Sequence, residues 1–438
     1  MHRLCHANRR TAFFGTALFS ILLLSSPSAF GAGYSIFEQG SKATGMGGAF
    51  AATADDPSAM FYNVAGIAFQ REGKAMLGGT IITFKNQFEG AADSFPGAGV
   101  TGSYEDHIFT PPNTYIVVPF GENVTFGLGQ FTAFGLRTDW VDGHRFAGRF
   151  ISQDANLKTS SVQPSFAMKT ANGRFAFGIG AEYRIANLSL ERNIAAINPF
   201  TLRIADVAHI RLKSEWEGEL GFNAGVIFAP SDTLRIGLSY RAPMDIDFNG
   251  EAKFTQIPTG NAQLDAIIRA TRLPPDQDIT TTLPFPAFTH LGVATTAIPD
   301  WTVEFDVVHM GWSRFEDLEV EFQTTPANNL FVEQNWEDAL SYRIGGNRPV
   351  TENWDIRLGA VYDETPQPVE AAGPLLPDSN RIGVSFGVGY RRGPISVEFS
   401  DMVLHFEDRN TLGRNQDNFN GEYRTSANLV GLNIGYSF

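Results

Sequence analysis

The stretch AGYSIFEQGSKATGMGGAFAATADDPSAMFYNVAGIAF, residues 32–69, decides how the rest of the chain is interpreted. It is rich in Gly and Ala, carries little charge, and shows neither strand alternation nor a long helical face. After it, apolar and polar residues alternate with period two as far as Phe438, which is the pattern of β-strands. A small segment followed by a long series of hairpins predicts an all-β barrel with residues 32–69 in its lumen as a hatch, or plug.

Residues 1–31 have the layout of a secretory signal peptide. Arg3, Arg9 and Arg10 precede an apolar run over residues 11–24, and small residues around Ala29 follow it. The run is shorter than the ~20 apolar residues of a membrane-spanning helix. We therefore expect cleavage before residue 32 and three parts: a signal peptide over 1–31, the hatch over 32–69, and a transmembrane β-barrel with long extracellular loops over 70–438.

The composition excludes several classes of function. The only cysteine of the 438 residues is Cys5, so we expect no disulfide and no cysteine metal site after cleavage. The formal net charge of −14 without a basic patch argues against nucleic acid as a partner. No later run of ~18 apolar residues predicts a membrane-spanning helix.

Clean alternation marks the predicted barrel strands. Between Arg174 and Ile185 the odd positions are apolar and the even positions are polar, charged or Gly. The same pattern places the even positions of residues 234–248 on one apolar face, which is predicted to point outward. About fourteen antiparallel strands are predicted, near 75–88, 112–119, 123–136, 157–170, 174–190, 213–229, 234–250, 279–297, 301–323, 336–348, 354–365, 381–391, 395–409 and 424–438.

A membrane barrel explains these segments better than a soluble β-sandwich, which also alternates. The strands are longer than the usual five or six residues. Tyr240, Tyr362 and Tyr390 end apolar faces as in an interfacial aromatic girdle, and short turns alternate with long loops. We therefore predict a Gram-negative outer-membrane barrel. The closing aromatic, Phe438, resembles the signal that the barrel assembly machinery reads.

Two further features of the sequence concern the barrel wall: changes in the alternation pattern, and the positions of charged residues. The apolar face switches parity between residues 303–307 and 318–322, and again between 397–399 and 402–404, which predicts two β-bulges or kinks. Charged side chains are predicted to fill the lumen by pairing with one another. They are Arg184, Arg235, Arg241, Glu182, Glu215, Glu217, Glu219, Asp245 and Asp247.

Several motifs, in their order and spacing, resemble the FadL/TodX family of outer-membrane transporters. The hatch carries the pair Asp55-Asp56 and then Asn63-Val64-Ala65, where the family has Asn-Pro-Ala. Further resemblance lies in residues 312–315 (WSRF) and 377–381 (PDSNR). The resemblance implies a monomeric fourteen-stranded barrel with an N-terminal hatch, which passes long-chain fatty acids or other hydrophobic molecules. Because Val does not fix φ as Pro does, it leaves the local turn at Val64 open.

The third predicted strand is where the resemblance implies a lateral opening. Gly127, Gly129 and Gly135 lie on one face of this strand, and Gly within a strand marks a bend or a close approach. In the family an inward kink falls in this strand. The candidate gate residues are Phe134, Gly135 and Leu136.

Two loops are apolar enough to predict a site for ligand capture. Residues 194–210 and 262–272 have apolar residues at helical spacing, so we predict two short amphipathic helices with a greasy groove between them. The candidate groove residues are Ile197, Phe200, Ile204, Val207, Leu264, Ile267 and Ile268. Nearby cations, above all Arg203 and Arg269 but also Arg192, Lys253 and Arg272, are candidates to hold a carboxylate. Alternatively, the helices pack only on each other and the cations face lipopolysaccharide phosphates.

No enzyme is predicted. H-E-x-x-H, G-x-S-x-G and Walker patterns are absent, and His290 and His309 stand alone, so no catalytic residue, metal or cofactor is expected. The expected partners are a hydrophobic small molecule, outer-membrane lipid, lipopolysaccharide and the assembly machinery, with the protein a monomer. The alternatives are a channel for aromatic or aliphatic hydrocarbons and a general polar-solute porin, although the apolar loops and the hatch speak against the porin.

Overall fold

The structure, a computed structural model, describes residues 33–271 and 273–438. The predicted signal peptide and its cleavage site lie outside the described residues. The strands are β1 (Lys74–Gly90), β2 (Thr101–Ser103), β3 (Ile108–Phe109), β4 (Pro112–Phe120), β5 (Val124–Phe131), β6 (Gly135–Asp139), β7 (Asp154–Lys169), β8 (Phe175–Asn198), β9 (Arg203–Ser214), β10 (Glu217–Phe228), β11 (Leu234–Arg241), β12 (Met244–Gln256), β13 (Gln277–Phe285), β14 (Phe288–Thr295), β15 (Thr302–Met310), β16 (Asp317–Phe322), β17 (Leu330–Glu333), β18 (Ala339–Pro349), β19 (Trp354–Asp363), β20 (Arg381–Arg392), β21 (Ile395–Phe406), β22 (Arg409–Asn410) and β23 (Gly421–Ser437). The α-helices are α1 (Ser41–Gly45), α2 (Ala59–Tyr62) and α3 (Ala262–Thr271), and 3₁₀ helices lie at Val64–Phe69, Trp312–Arg314 and Pro326–Asn328.

These strands form one closed antiparallel barrel with 14 positions around its wall, as predicted. The wall closes where β1 pairs with β23 along its whole length, from Lys74 opposite Ser437 to Gly90 opposite Gly421. Several wall positions consist of two segments in line, such as β5 with β6 and β11 with β12. Each of these positions therefore has an interruption part of the way up the wall.

Apolar side chains face outward on the lower wall, which is the alternation that the sequence predicted. On β20, for example, Ile382, Val384 and Phe386 are exposed, while Arg381 and Ser385 between and beside them are buried. An apolar outer band around a closed barrel is the form in which strands cross a membrane, because all backbone groups are paired within the wall. In the part of the chain that the structure describes, no helix is long and apolar enough to cross a membrane.

Residues 33–69, called here the N-terminal segment, lie inside the barrel. Almost all of them are buried, including α1, α2 and the 3₁₀ helix that follows Asn63. Two wall carboxylates hold the middle of the segment. Asp306 accepts the backbone N–H groups of Phe50 and Ala51 at 2.8 and 2.9 Å, and Glu304 accepts those of residues 52 and 53 at 2.6 and 2.9 Å.

The wall approaches the N-terminal segment so closely that inward positions on many strands have room only for Gly. At each of these positions a Cβ atom would lie less than 3.0 Å from an atom of the segment, so a larger residue forces the segment to shift. They are distributed around the wall: Gly127, Gly178, Gly225, Gly237, Gly345, Gly359 and Gly431. The contact between segment and wall is therefore tight around most of the circumference.

The prediction of a helix over residues 194–210 is wrong. These residues continue β8 and β9 as a hairpin in which Ile197 lies opposite Ile204 across the strands. The apolar residues with three- and four-residue spacing are mostly β-branched Ile and Val, which suit strands, and Pro199 interrupts any helix at this point. The second predicted helix is confirmed as α3, which begins at Ala262 and ends at Thr271.

The predicted parity changes are half right. The interruption between β15 and β16 is present, with a 3₁₀ turn at Trp312–Arg314. The predicted bulge in the strand near 395–409 is wrong, because β21 keeps one register with both neighbours throughout. Met402 and Leu404 are buried there because the upper lumen is apolar, and no change of register is involved.

The outward face predicted for residues 234–250 is correct only below Pro243. Leu238 and Tyr240 are exposed, but Met244, Ile246 and Phe248 are 3, 1 and 1% exposed and face inward. For the same reason Asp245 and Asp247 are exposed outside the wall, and Glu215, Glu217 and Glu219 are also not buried. The prediction that these five acids fill the lumen is therefore wrong, whereas Glu182, Arg184 and Arg241 do form a buried ion-paired cluster.

Candidate functional site

A large apolar cavity lies inside the barrel above the N-terminal segment. Its empty space, including the part that is open to solvent, is about 810 Å³, and it is lined mainly by inward aliphatic and aromatic side chains from β7, β8, β9, β12 and β13, with residues of β16 and of the loop after β19. Representative lining residues are Leu157, Leu188, Leu212, Phe248, Leu283 and Leu376. An apolar lining of this kind is typical of a site for a hydrophobic small molecule. It is called here the lower cavity.

The lower cavity exists because the inward positions of these strands change character along their length. Near the N-terminal segment the inward residues include Gly and polar or charged residues, and Asn223, Ser239 and Arg241 donate hydrogen bonds to the segment's backbone carbonyls. Higher up, the inward residues Leu188, Leu212 and Ile279 have no such segment to bind, and they leave open an apolar space. Water in such a space lacks polar partners, so an apolar molecule fills it favourably.

The first described residues of the N-terminal segment form the floor of this cavity. Tyr34 lines the cavity, and its ring centroid lies 4.6 Å from that of Trp312 in an edge-to-face contact. The Tyr34 hydroxyl donates a hydrogen bond to the carbonyl of Pro284. Gly33 donates its backbone N–H to Asp378 Oδ2 at 3.1 Å, which fixes the beginning of the segment to the loop that follows β19.

A second, more polar cavity adjoins the first and is called the upper cavity. It has an empty volume of about 620 Å³. Residues that line both cavities form their junction, and these are Leu190, Leu318, Val320, Gln334 and Leu375. Arg192, Gln416 and Asp417 belong to the upper cavity alone. The two cavities therefore combine an apolar chamber with a polar end.

Arg192 is the group in the upper cavity best placed to bind an anion. Its Nε–H is buried and has no hydrogen-bond partner among the described residues, and its Nη1 donates only a long bond of 3.4 Å to the Phe150 carbonyl. Most donors of this guanidinium therefore remain available, and the group binds carboxylates well. Burial raises the pKa of Asp417, and Arg192 opposes this shift.

The candidate gate residues lie at an interruption of the wall. β5 pairs with β7 as far as Phe131 opposite Ser161, and β6 resumes with Gly135 opposite Lys158. Between them the backbone turns to the N-terminal segment, where Ile36 donates to the Ala133 carbonyl at 2.8 Å and Gly135 donates to the Tyr34 carbonyl at 2.9 Å. The strand thus exchanges part of its wall hydrogen bonds for bonds to the segment.

Phe134 sits inside this interruption and joins the aromatic floor. Its ring is fully buried and lies 5.0 Å from that of Phe285, with the Arg184 guanidinium 4.4 Å from its centroid. Leu136, just above, lines the lower cavity. The cavity and the interruption are therefore adjacent, and the residues that separate them are Tyr34 and Phe134. The role of residues 134–136 as a gate stays a prediction.

The motif Asn63-Val64-Ala65 forms a helix start that needs no Pro. The Asn63 side chain accepts the Ala65 N–H at 3.1 Å, and its amide donates to the Ala51 carbonyl at 2.7 Å. Val64 is the first residue of the 3₁₀ helix, and its N–H has no hydrogen-bond partner among the described residues. The turn that the family motif would form with Pro is therefore capped here by Asn63.

The predicted capture residues do not line either cavity. Ile197, Phe200 and Ile204 are 68, 52 and 69% exposed at the tip of the β8–β9 hairpin. Val207, Leu264 and Ile268 are buried against one another, which joins α3 to the hairpin, while Ile267 is partly exposed. The predicted groove between two helices is absent because the first helix is a hairpin. That the exposed tip of the hairpin takes part in ligand capture stays a prediction.

The predicted loop cations also differ in position. Arg203 is exposed at the hairpin tip, and Arg269 donates from Nε to Gln256 Oε1 at 3.1 Å on α3. Arg272 lies outside the described residues. Arg192 was predicted from the sequence as one of these loop cations, but nothing in the sequence distinguished it from the others. The cavity-lining aliphatic residues were missed because their inward orientation follows from interruptions that alternation alone does not locate.

In residues 33–271 and 273–438, no group of three or more His, Cys, Asp or Glu side chains is placed to hold a metal ion. The buried His290 lies beside aromatic rings and has no acidic partner at ion-pair distance in this part of the chain.

Comparisons with known proteins agree with this architecture. The sequence model of the family described as "Outer membrane protein transport protein (OMPP1/FadL/TodX)" matches residues 22–438. A "Long-chain fatty acid transport protein" of Escherichia coli O6:H1 is 24% identical over 460 residues, which covers 98% of this chain and 100% of that protein. "Outer membrane protein P1" of Haemophilus influenzae is 24% identical over 476 residues and covers 97% of this chain and 99% of that protein.

Solved structures share the fold. A FadL homologue from Pseudomonas aeruginosa superimposes with a TM-score of 0.80 at 21% identity, covering 93% of this chain and 100% of that chain. The toluene transporter TbuX of Ralstonia pickettii gives a TM-score of 0.68 at 20% identity, with 92% and 100% covered.

Proposed function

Because the chain belongs to the OMPP1/FadL/TodX family of outer membrane protein transport proteins, we propose that it carries hydrophobic molecules across the outer membrane, with long-chain fatty acids as the favoured class. Its family is one of outer-membrane transport proteins and not of enzymes. The closed barrel with an apolar outer band is consistent with this location. We further propose that it acts as a monomer in contact with lipopolysaccharide and is inserted by the barrel assembly machinery.

The observation that carries the fatty-acid proposal is the junction of two unlike cavities. The lower cavity is large and apolar, and the adjoining upper cavity contains Arg192 with unused donors. A long-chain acid has the same division into an alkyl chain and an anionic head. Burial of each CH₂ group contributes ~0.8 kcal/mol, so the chain supplies affinity while the guanidinium selects the acid.

The N-terminal segment serves as the plug in this proposal. Support comes from its burial and from its close contact with inward glycines around most of the wall. Four consecutive backbone N–H groups of the segment bind Glu304 and Asp306, which adds to the cost of displacing it. An axial path to the periplasm therefore requires the loss of many contacts at once.

The proposed exit is sideways, at the interruption that contains Phe134, Gly135 and Leu136. A hydrophobic molecule gains nothing by leaving an apolar cavity for water, and a sixteen-carbon chain would lose roughly 10 kcal/mol on doing so. Release into the bilayer avoids this loss. It requires a place where the wall is not fully hydrogen-bonded, and the interruption lies next to the lower cavity.

The experiment that tests the proposed function is a binding series in detergent, followed by tryptophan fluorescence. The ligands are hexadecanoic acid, hexadecanol, hexadecane, toluene and sucrose. We expect saturable quenching by the acid at the lowest concentration, because it alone satisfies both cavities. Tighter binding of toluene would instead favour the hydrocarbon channel, to which the aromatic floor around Tyr34 is also suited. Saturable binding of sucrose alone would overturn the proposal and favour a polar-solute porin.

A further inference from the structure

A second interruption of the wall lies between the position formed by β9 and β10 and the position formed by β11 and β12. Below it, β10 pairs with β11 up to Asn223 opposite Arg241, and above it β9 pairs with β12 from Ser214 opposite Gly250. Between these points, no backbone hydrogen bond joins residues 216–221 to residues 243–248, and both runs lie within the described chain. This opening in the hydrogen-bonded wall is called here the side gap.

The side gap is a loss of backbone hydrogen bonds and not a slip of register. The last bonds on either side run from Ala242 N to Phe222 O at 2.9 Å and from Glu215 N to Asn249 O at 2.8 Å. The two runs between these bonds have equal length, so no extra residue is present on either strand. The two strands therefore keep one register across the side gap, although no backbone hydrogen bond joins them there.

Local chemistry explains why the strands do not pair here. Pro243 has no N–H to donate. Leu220 donates its N–H to Glu219 Oε1 at 3.0 Å instead of to the opposite strand. At the upper end, the Asn249 amide donates to Glu217 Oε1 at 2.9 Å, so a side-chain bond spans the gap where backbone bonds are missing.

Met244 closes the side gap. Its side chain lies against Gly221 on the opposite strand, where a Cβ atom would come within 2.4 Å of Met244 Cε. The Tyr183 hydroxyl lies over Gly218 in the same way, 2.6 Å from a Cβ built there. An unbranched thioether has three rotatable bonds, so the Met244 closure is easily rearranged without unfolding the wall.

One edge of the side gap includes Phe248, which lines the lower cavity. Met244, Ile246 and Phe248 point inward in succession. On the outer side Leu220 is 68% exposed and Trp216 is 49% exposed. Aromatic and aliphatic side chains at this height on the outer wall mark the region where a barrel meets the membrane interface.

The outer rim of the side gap is acidic. Glu217, Glu219, Asp245 and Asp247 are the charged residues of the two facing runs, and among the described residues only Arg314 pairs with one of them, with Nη2 at 2.5 Å from Asp245 Oδ2. An excess of carboxylates repels an incoming anion and leaves an uncharged molecule unaffected. We propose that the side gap is a lateral passage, gated by Met244, through which uncharged hydrophobic molecules move between the outer leaflet and the lower cavity.

This inference rests on the proposed function, because it supplies a second class of cargo to the same cavity. It differs from the exit at residues 134–136 in three respects. Its edges belong to other strands, its closure is a single flexible side chain instead of the N-terminal segment, and its rim discriminates by charge. The two openings therefore respond to different substitutions.

The test introduces one cysteine in the side gap and attaches a bulky label to it, so that the gap is filled. The chain's only native cysteine is Cys5, which belongs to the predicted signal peptide. Met244→Cys therefore introduces the only thiol among residues 33–271 and 273–438. Protein in proteoliposomes is treated with pyrene maleimide, which dissolves in lipid, and labelling is measured by mass. We expect Met244→Cys to be labelled. Ile227→Cys, at a position that is 0% exposed in a fully paired part of β10, should remain unlabelled.

Uptake is then compared before and after labelling, with naphthalene as the uncharged probe and hexadecanoate as the anion. Labelled Met244→Cys should lose naphthalene uptake and keep hexadecanoate uptake. Leu238→Cys, on the exposed face of the neighbouring strand, should be labelled without losing either. If Met244→Cys fails to insert, Gly221→Cys on the opposite edge serves the same purpose.

Three results overturn the proposal: no labelling of Met244→Cys, labelling without any change of naphthalene uptake, or equal loss of both probes. Unlabelled protein that takes up neither probe would overturn the proposed function. The labelling comparison between Met244→Cys and Ile227→Cys would still decide whether the side gap opens.

Discussion

Gly33 and Asp378 are joined by a hydrogen bond of 3.1 Å from the Gly33 N–H to Asp378 Oδ2. The same oxygen accepts a bond of 2.7 Å from the Thr365 hydroxyl. One buried carboxylate thus ties the first described residue of the N-terminal segment to the loop that lines both cavities. Burial raises the pKa of this carboxyl, and its hydrogen bonds from Thr365 and Gly33 partly offset the shift.

Asp378→Ala should therefore loosen the floor of the lower cavity. Two buried hydrogen bonds are lost, at about 1–3 kcal/mol for each donor left unpaired. We expect faster amide hydrogen exchange at Tyr34 and a lower melting temperature. Thr365→Val removes only the other bond, so exchange at Tyr34 should remain slow. Equal exchange in both variants would contradict the assignment of the Gly33 bond as the fastening.

Arg192→Met should weaken the binding of hexadecanoic acid by about 10- to 100-fold, since a charge-assisted hydrogen bond is worth ~1.5–3 kcal/mol. Hexadecanol binding should hardly change, because Met keeps most of the apolar length of the side chain. Arg203→Met, at the exposed hairpin tip, is the matched control and should bind both ligands as the native protein does. Isothermal titration in detergent measures all three. A tenfold loss in the control alone would move the head-group site to the hairpin.

Binding of an anionic amphiphile should strengthen as the pH falls. The pKa of Asp417 is raised by burial, so this group gains its proton above the usual range for Asp, and its negative charge next to Arg192 disappears. A dodecyl sulfonate is the suitable probe because its head group does not titrate. Asp417→Asn should bind it with the low-pH affinity at every pH.

The same shift fixes the sign of the effect on stability. The folded state holds the Asp417 proton more tightly than the unfolded chain, so ionisation costs stability as the pH rises through the usual value and up to the folded pKa. Asp417→Asn should thus raise the melting temperature at neutral pH and leave it unchanged in strong acid. A rise at both pH values would assign the effect to packing.

Val64→Pro should be tolerated or slightly stabilising. Val64 is the first residue of a 3₁₀ helix and its N–H is unused within the described chain, and Pro suits this position. Reduced freedom of the unfolded chain is worth about 0.4–1 kcal/mol. Ala65→Pro is the control, because it removes the N–H that Asn63 accepts at 3.1 Å, and it should destabilise the protein. Thermal melting of both variants decides.

Gly135→Val should lower the uptake of fatty acid severely. A β-branched residue favours a straight, paired strand and narrows the interruption beside Phe134. Melting temperature and ligand binding in detergent should stay unchanged. Gly393→Asn, in a turn with φ of +57° and no atom within 4 Å of a built Cβ, controls for the loss of a glycine. Normal uptake by a correctly inserted Gly135→Val protein would place the exit elsewhere.

The wall of the barrel was predictable from the sequence because alternation reports burial directly. Ile382, Val384 and Phe386 had to share one face, and a long strand with one apolar face has few places in a folded protein. The predicted segments accordingly match the positions around the wall. The prediction failed where a strand changes face without a gap in the sequence, as at Pro243.

The position of the site was less predictable, because it depends on the places where strands change face. Met244, Ile246 and Phe248 continue the apolar series of Leu238 and Tyr240 without a break. The first three nevertheless face the lumen, whereas the last two face outward. Alternation cannot locate the point at which a strand turns its apolar face from the outside to the lumen when the spacing of the apolar residues stays even. The helical spacing of Ile197 and Ile204 misled for a related reason, since cross-strand neighbours in a hairpin also recur at regular intervals.

The pairing of β1 with β23 sets an order of assembly. The chain begins its wall at Lys74 and completes it only when Gly421–Ser437 has been made and placed beside that first strand. The N-terminal segment precedes Lys74 and lies inside the ring that this pairing closes. Closure joins residues more than three hundred positions apart, which makes it a late event. A chain truncated before Gly421 would therefore remain an open sheet, in which the edge of β1 that normally pairs with β23 is free while its other edge still pairs with β4.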